Sequence, residues 1–173
     1  MKRLALLGDR GGAAAVEMAL VTPLLLVILM GSVEMGNYFW TEHRLVKAVR
    51  DGARYAARQP FSNYSACTGS PPQAVVDDTK TLVRKGSLDS SAADQLPNWA
   101  TATFSVSIDC TASLSDSSGN FVPKGIYANL AGGAPAVTVT ASVPYRAFFG
   151  KMLGFNLNNA NLNARQQAAV VGV

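Results

Sequence analysis

The chain carries little charge for its length. Only 15% of its 173 residues are Asp, Glu, Lys or Arg, whereas a soluble globular domain carries about 25%. The net charge of +4 is a small excess, unlike that of a compact nucleic-acid binder, in which Lys and Arg cluster over a folded domain. Hydrophobic residues reach 49%, which excludes a disordered chain, because such chains are polar and highly charged.

Residues that commonly carry catalysis or bind metal are also scarce. His43 is the single histidine, and Cys67 and Cys110 are the two cysteines. A metal centre needs more ligands than these, and no Gly-rich phosphate loop follows a predicted strand. We therefore expect no catalytic residue, metal, cofactor, small-molecule substrate or nucleic-acid partner. A membrane-anchored enzyme is therefore the least favoured of the functions considered below.

The hydrophobic residues are concentrated near the N-terminus. Between residues 11 and 41 the only charges are Glu17 and Glu34. The 23 residues from Met18 to Trp40 form a helix of about 34 Å, which spans a hydrocarbon core of roughly 30 Å. The run ends in an aromatic cluster typical of a membrane interface, formed by Tyr38, Phe39 and Trp40. We predict one membrane-spanning helix.

The charges before this run predict its orientation. Lys2, Arg3 and Arg10 stand against a single acid, Asp9, so the positive-inside bias places the N-terminus in the cytoplasm and the rest of the chain outside. A cleaved secretory signal is the alternative. It predicts an apolar core of about 7–15 residues and a small-residue cleavage site, whereas this core is longer and bulky residues follow it.

Glu17 lies at the head of the apolar run. It either marks the membrane boundary, where the helix dipole favours an acid, or has a functional partner. Arg10-Gly11-Gly12 ends a basic leader, and Glu17 falls five residues after Gly12. This arrangement resembles the cleavage site of type IV prepilins, where a membrane peptidase cuts after the glycine. The resemblance implies a leader over residues 1–12, a new α-amine on Ala13, and pairing of Glu17 with the amine of a neighbouring subunit.

Two further segments extend the resemblance. Residues 15–26, Ala-Val-Glu-Met-Ala-Leu-Val-Thr-Pro-Leu-Leu-Leu, are similar to the opening of the TadE-like family, although Met18 stands where that family has Phe or Tyr. Residues 48–57 also match its pattern. The family consists of pilin-like proteins of tight-adherence (Flp-type) pilus systems.

The resemblance implies a minor pilin or pseudopilin of the bacterial cytoplasmic membrane. A prepilin peptidase, other pilin subunits and the pilus assembly platform would be its partners, and it would assist, prime or cap assembly. Pro23, inside the apolar run, is then either an ordinary kink or a local unwinding point used when the helix leaves the bilayer. The alternative is a single-pass anchored envelope protein whose outer domain binds a partner unrelated to pili.

The helix is predicted to continue beyond the membrane, over residues 13–58, until Gln59-Pro60 breaks it. Its apolar residues recur at spacings of three and four and form one face: Leu45, Val46, Val49, Ala53 and Ala56. A basic stripe forms another face: Arg44, Lys47, Arg50, Arg54 and Arg58. This stripe is interpreted either as a solvated face that contacts lipid headgroups or as a contact with acidic surfaces of other subunits.

Residues 61–173 form the predicted exported domain. They contain 13 charges but 30 Ser, Thr and Asn. Ser70 and Pro71 are predicted to begin a helix that Arg84, Lys85 and Gly86 end. Alternating patterns predict strands over Thr101–Cys110 and Val137–Tyr145, the second with Thr138, Thr140 and Ser142 on the face opposite its apolar residues. A short apolar helix or loop is expected at Phe148–Phe155, and a third strand at Leu162–Val171. The predicted fold class is α+β, a long N-terminal helix packed on a small antiparallel sheet.

The two cysteines both fall in the predicted outer domain. An oxidising compartment favours a disulfide between Cys67 and Cys110, which would stabilise the domain by up to roughly 4 kcal/mol. The alternative is two buried thiols.

Overall fold

The computed structural model describes residues 10–64, 67–111, 125–128, 130, 133–150, 152 and 160–172. Residues 1–9 of the predicted leader lie outside the described residues, as do residues 151 and 153–155 of the segment predicted as a short apolar helix or loop. The chain divides into two compact units. The first comprises residues 1–38 and 147–157, and the second comprises residues 39–146 and 158–173.

A single long helix, α1, runs through Arg10–Ala57, a length of 48 residues. The predicted range was 13–58, so the helix begins three residues earlier and ends one residue before Arg58. Backbone amides of Arg58 and Gln59 donate to carbonyls three residues back, at 3.2 and 3.1 Å. This tightened last turn precedes Pro60, where the helix was predicted to break.

The second unit contains an antiparallel sheet of four strands in the order β1-β2-β3-β4. Three of them correspond to predicted strands, and the two-residue β1 is additional. The strands are β1 Thr68–Gly69, β2 Thr103–Thr111, β3 Ala134–Pro144 and β4 Asn161–Ala169. The second helix of the unit, α2, is Gln73–Lys85. With the long helix on a small antiparallel sheet, the α+β prediction is confirmed.

The core of the second unit lies between the apolar face of α1 and the sheet. Leu45, Val49, Ala53 and Ala56 of α1 are buried, as the spacing predicts. Central strand β3 contributes a second buried set: Val137, Val139, Ala141 and Val143. The backbone amide of Val171 donates to the carbonyl of Ala57 at 2.9 Å, which ties the end of α1 to the chain after β4.

The strand predictions need corrections at the ends of all three strands and at one residue of β3. Strand β3 begins at Ala134, three residues earlier than predicted, and ends at Pro144, one residue short of Tyr145. Thr101 belongs to a 3₁₀ turn, Trp99–Thr101, so β2 begins two residues later than predicted. Strand β4 ends at Ala169, short of Val171. Thr138 is buried, although it lies on the face opposite the apolar residues of β3; the strand pairs with β2 on one side and β4 on the other.

The predicted start of α2 is also wrong. The helix begins at Gln73 with Pro72 at its N-cap, not at Ser70 and Pro71. The Ser70 hydroxyl instead donates to the carbonyl of Val106 at 3.0 Å. Pairing of β1 with β2 keeps the backbone extended just before this point, so the long-range contact overrides the local capping signal. The predicted end is confirmed: Gly86 adopts a left-handed φ of 76° and its amide donates to the carbonyl of Leu82 at 2.7 Å.

Candidate functional site

The N-terminal part of α1 carries the predicted processing and pairing residues. Every residue from Gly12 to Leu29 is exposed in the described part of the chain. The helix is long and apolar enough to cross a membrane, with a mean hydropathy of 2.3 in its best window. Exposed apolar side chains at this density require a nonaqueous partner. The segment therefore indicates single-pass membrane anchoring.

Gly12, Ala13 and Glu17 all lie on this exposed segment, within the first two turns of α1. Ala13 and Glu17 are four residues apart, so they share one face of the helix. The placement leaves Glu17 accessible to another molecule. Its pairing with a neighbouring subunit stays a prediction.

Pro23 lies inside α1. A proline at that position has no N–H to donate to the carbonyl of Ala19, four residues back. Nearby hydroxyls bond to their own helix, with Thr22 donating to the carbonyl of Met18 at 2.6 Å and Ser32 to that of Ile28 at 2.8 Å. These bonds satisfy the hydroxyl protons where water is absent. A role for Pro23 in unwinding stays a prediction.

The basic stripe lies on an exposed face of α1 in the second unit, where Arg44, Lys47, Arg50, Arg54 and Arg58 are all exposed. Asp51 interrupts the stripe and approaches Arg54 at 4.0 Å, with both side chains largely in solvent, so this pair contributes little stability. At the other end of the stripe, Arg44 and Lys47 line a cavity of about 570 Å³, together with Ala48, Asp51, Leu82, Gly86 and Gln95.

The end of α2 is fixed by a charged network beside this cavity. Arg84 donates to both carboxylate oxygens of Asp94, at 2.6 and 2.7 Å, and this guanidinium lowers the pKa of the Asp94 carboxyl. The backbone amide of Gln95 donates to the carbonyl of Arg84 at 2.8 Å. The network closes the loop after α2 and places Gln95 against the cavity.

Two links hold the chain that follows α1. Cys67 and Cys110 form a disulfide with Cα atoms 5.1 Å apart, which confirms the expected pairing. The Tyr64 hydroxyl, almost fully buried, donates to the carbonyl of Ala56. Burial raises the pKa of Tyr64 to about 12, so the phenol remains protonated and continues to donate.

Gly52, within the family-like segment 48–57, allows close packing of the two helices. A Cβ at this position would lie 2.3 Å from Cγ2 of Val83 and 3.4 Å from Cγ2 of Thr79, both in α2. Val83 and Thr79 are themselves fully buried, so neither side chain has free space to move into. The glycine in this pattern therefore reflects the approach of α1 to α2.

We predict that Gly52→Ala destabilises the second unit by about 1–2 kcal/mol. Overpacking costs roughly 1–3 kcal/mol, and the better helix propensity of alanine returns at most about 1 kcal/mol. Thermal unfolding followed by circular dichroism in detergent would measure the loss. The matched control is Gly36→Ala in the same helix, where an added Cβ meets nothing within 4 Å. Equal melting temperatures for Gly52→Ala and the wild type would contradict the packing argument.

Sequence reasoning gave no role to Glu34. Its side chain is only 9% exposed, and it accepts hydrogen bonds from the backbone amides of Phe148 and Phe149. Its position in the sequence could have indicated a role, because an ionisable residue inside a membrane-spanning run is a candidate functional residue. These amides were unpredictable as partners, since they lie 114 and 115 residues away and belong to the main chain.

Comparison with protein families supports the resemblance. A family model described as TadE-like protein matches residues 12–54, the segment that begins at the predicted cleavage site and includes Glu17, Pro23 and Gly52. Comparisons with curated proteins and with solved structures gave no match. Among the described residues, no group of three or more His, Cys, Asp or Glu could hold a metal ion.

Proposed function

Since this chain carries the TadE-like segment at residues 12–54, we propose that it is a minor pilin or pseudopilin that assists, primes or caps assembly of an Flp-type pilus. Its role is structural rather than catalytic. Its partners are the membrane, a prepilin peptidase, other pilin subunits and the assembly platform. The observation that carries the proposal is the exposed apolar part of α1, with Gly12, Ala13 and Glu17 at its head.

Processing follows from this arrangement. A peptidase that cuts after Gly12 releases the basic leader and leaves an α-amine on Ala13. In its usual protonated form that amine carries a positive charge. In lipid or in a filament core, its charge and that of Glu17 are costly alone and compensate each other when paired. After the exposed helix leaves the bilayer, the rest of it packs against other subunits. The second unit, attached to the end of this helix, then lies on the outer side.

The test is the intact mass of the membrane form isolated from a cell with a matched prepilin peptidase. We expect a chain that begins at Ala13. Gly12→Val should retain the leader, because a side chain at the cleaved position obstructs close approach of the peptidase to the backbone. Gly11→Ala, one residue further from the cut, is the matched control and should still be processed.

A wild-type chain that keeps Met1-Lys2-Arg3 in such a cell would overturn the pilin proposal. That result would instead favour the alternative, a single-pass anchored envelope protein whose outer domain binds a partner unrelated to pili.

A further inference from the structure

The carboxylate of Glu34 holds a turn of the distant chain against α1 within the first unit. Oε2 accepts from the amide of Phe148 at 3.0 Å and from that of Phe149 at 2.8 Å, while Oε1 lies 3.3 Å from the Phe148 amide. Two main-chain donors on one carboxylate form charge-assisted hydrogen bonds, which are about twice as strong as neutral ones. Glu34 therefore fixes both the position and the orientation of the turn.

The turn presents apolar side chains outward. We call residues Ala147–Gly150 together with Met152 the apolar turn. The amide of Met152 donates to the carbonyl of Phe149 at 2.9 Å and closes the turn. Phe148 is 70% exposed and Met152 63% exposed. Burial of either side chain in an apolar medium is favourable, because it removes a large apolar surface from water.

The medium is indicated by where Glu34 lies along the helix. It belongs to the exposed apolar run and precedes Tyr38, the first residue of the aromatic cluster, by four residues, or about 6 Å along the axis. Its neighbours Val33 and Met35 are themselves exposed. Aromatic clusters of this kind lie at the headgroup level, so a turn bonded to Glu34 lies on the hydrocarbon side of that level.

The hydrogen bonds of the backbone amides in the turn also favour a lipid environment. A non-helical segment that enters lipid leaves its backbone amides without water, and an unsatisfied amide there is costly. Glu34 accepts from two such amides. An acid within an apolar run is costly by itself, and here its acceptor oxygens meet the donors of the turn. Each group supplies what the other would lack in lipid.

We propose that the apolar turn is a second membrane contact, which inserts Phe148 and Met152 into the outer leaflet beside α1 while Glu34 positions it. The occupant of this surface is the lipid at the boundary between headgroups and acyl chains, where apolar faces enter by about 5–10 Å. The inference rests on membrane anchoring by α1 and is independent of any role in a pilus.

The test measures the depth of residue 148 in the full chain. Phe148→Cys, with the Cys67–Cys110 disulfide intact, is labelled with a nitroxide and reconstituted in phosphatidylcholine–phosphatidylglycerol vesicles. Accessibility to oxygen, which concentrates in lipid, is compared with accessibility to a water-soluble nickel chelate. Leu29→Cys on exposed α1 is the lipid reference, and Ser90→Cys, exposed in the second unit, is the water reference. We expect the label at 148 to resemble that at Leu29, with nickel accessibility at least about fivefold below that at Ser90.

A second part of the experiment tests the role of Glu34. Adding Glu34→Ala should raise nickel accessibility at 148 several-fold, whereas Glu34→Gln, which retains an acceptor oxygen, should have a smaller effect. Unchanged labels at Leu29 and Ser90 would show that span and fold persist.

Three results would overturn the proposal. The first is water-like accessibility of the label at 148 in a chain that retains Glu34. The second is a label shielded from both reagents with spin coupling between copies, which would indicate a protein neighbour. The third is an unchanged depth of the label at 148 in Glu34→Ala. Water-like accessibility at Leu29 would instead show that α1 is not in the membrane.

Discussion

Glu17→Ala should give a chain that is cleaved after Gly12 but fails to support pilus assembly. Cleavage depends on the residues that flank the cut, whereas assembly, in the proposed function, depends on pairing of the Glu17 carboxylate with the Ala13 amine. Removing one partner of a buried ion pair costs about 3–5 kcal/mol, because the other charge remains buried without compensation. A loss of about 3 kcal/mol lowers an association constant more than 100-fold.

The measurement is the pilus yield after shearing, from cells whose only copy of this chain is the variant, with intact mass to confirm processing. Glu17→Gln keeps the size and loses the charge, so it should fail as Glu17→Ala does. Glu17→Asp keeps the charge and should retain part of the yield. Met18→Ala, at an exposed neighbouring position, removes a side chain without removing a charge and should retain more of the yield than Glu17→Ala. Normal yield from Glu17→Gln would show that the charge has no role in pairing.

The double variant Cys67→Ser, Cys110→Ser should lose about 4 kcal/mol of unfolding free energy. The bond joins residues separated by 43 positions, and in the chain-entropy model closing such a loop in the unfolded state accounts for a loss of this size. Domains of this size have a total stability of about 5–15 kcal/mol. The bond therefore accounts for a large fraction of the stability of the unit.

Urea unfolding of the full chain in detergent would measure this loss. Reducing the wild-type chain with dithiothreitol should reproduce the shift, and the same reagent should leave the double variant unchanged. A change below about 1 kcal/mol would show that the remaining contacts near the bond, such as those of Tyr64, already hold this region.

Features written in local sequence were predictable. The spacing of Leu45, Val49, Ala53 and Ala56 specified the buried face of α1, since a helix repeats every 3.6 residues whatever it packs against. Gly86 marked the end of α2, because a left-handed φ is inexpensive only for glycine. Helix-terminating residues and hydrophobic periodicity are properties of the local segment, so they can be recognised from the sequence without knowledge of the fold.

Features that depend on distant partners were not predictable. Ser70 is a favourable N-cap residue, but its hydroxyl donates to the carbonyl of Val106, which is 36 residues away. Thr138 follows an alternating pattern that places it opposite the apolar residues of β3, yet it is buried in the folded chain. Glu34 was visible as a charge in the apolar run, yet its partners are main-chain amides, which no sequence pattern distinguishes. In each case the deciding contact lies beyond the local segment.

The disulfide also has a mechanical consequence. Cys67 follows the end of α1 by ten residues and is bonded to Cys110 in β2. Tension that enters the second unit along α1 passes through this covalent bond into the sheet and bypasses the chain between the two cysteines. That bypassed chain, which includes α2, would otherwise extend by roughly 150 Å. The bond therefore limits how far the second unit can be extended under load, and a reducing environment would remove that limit.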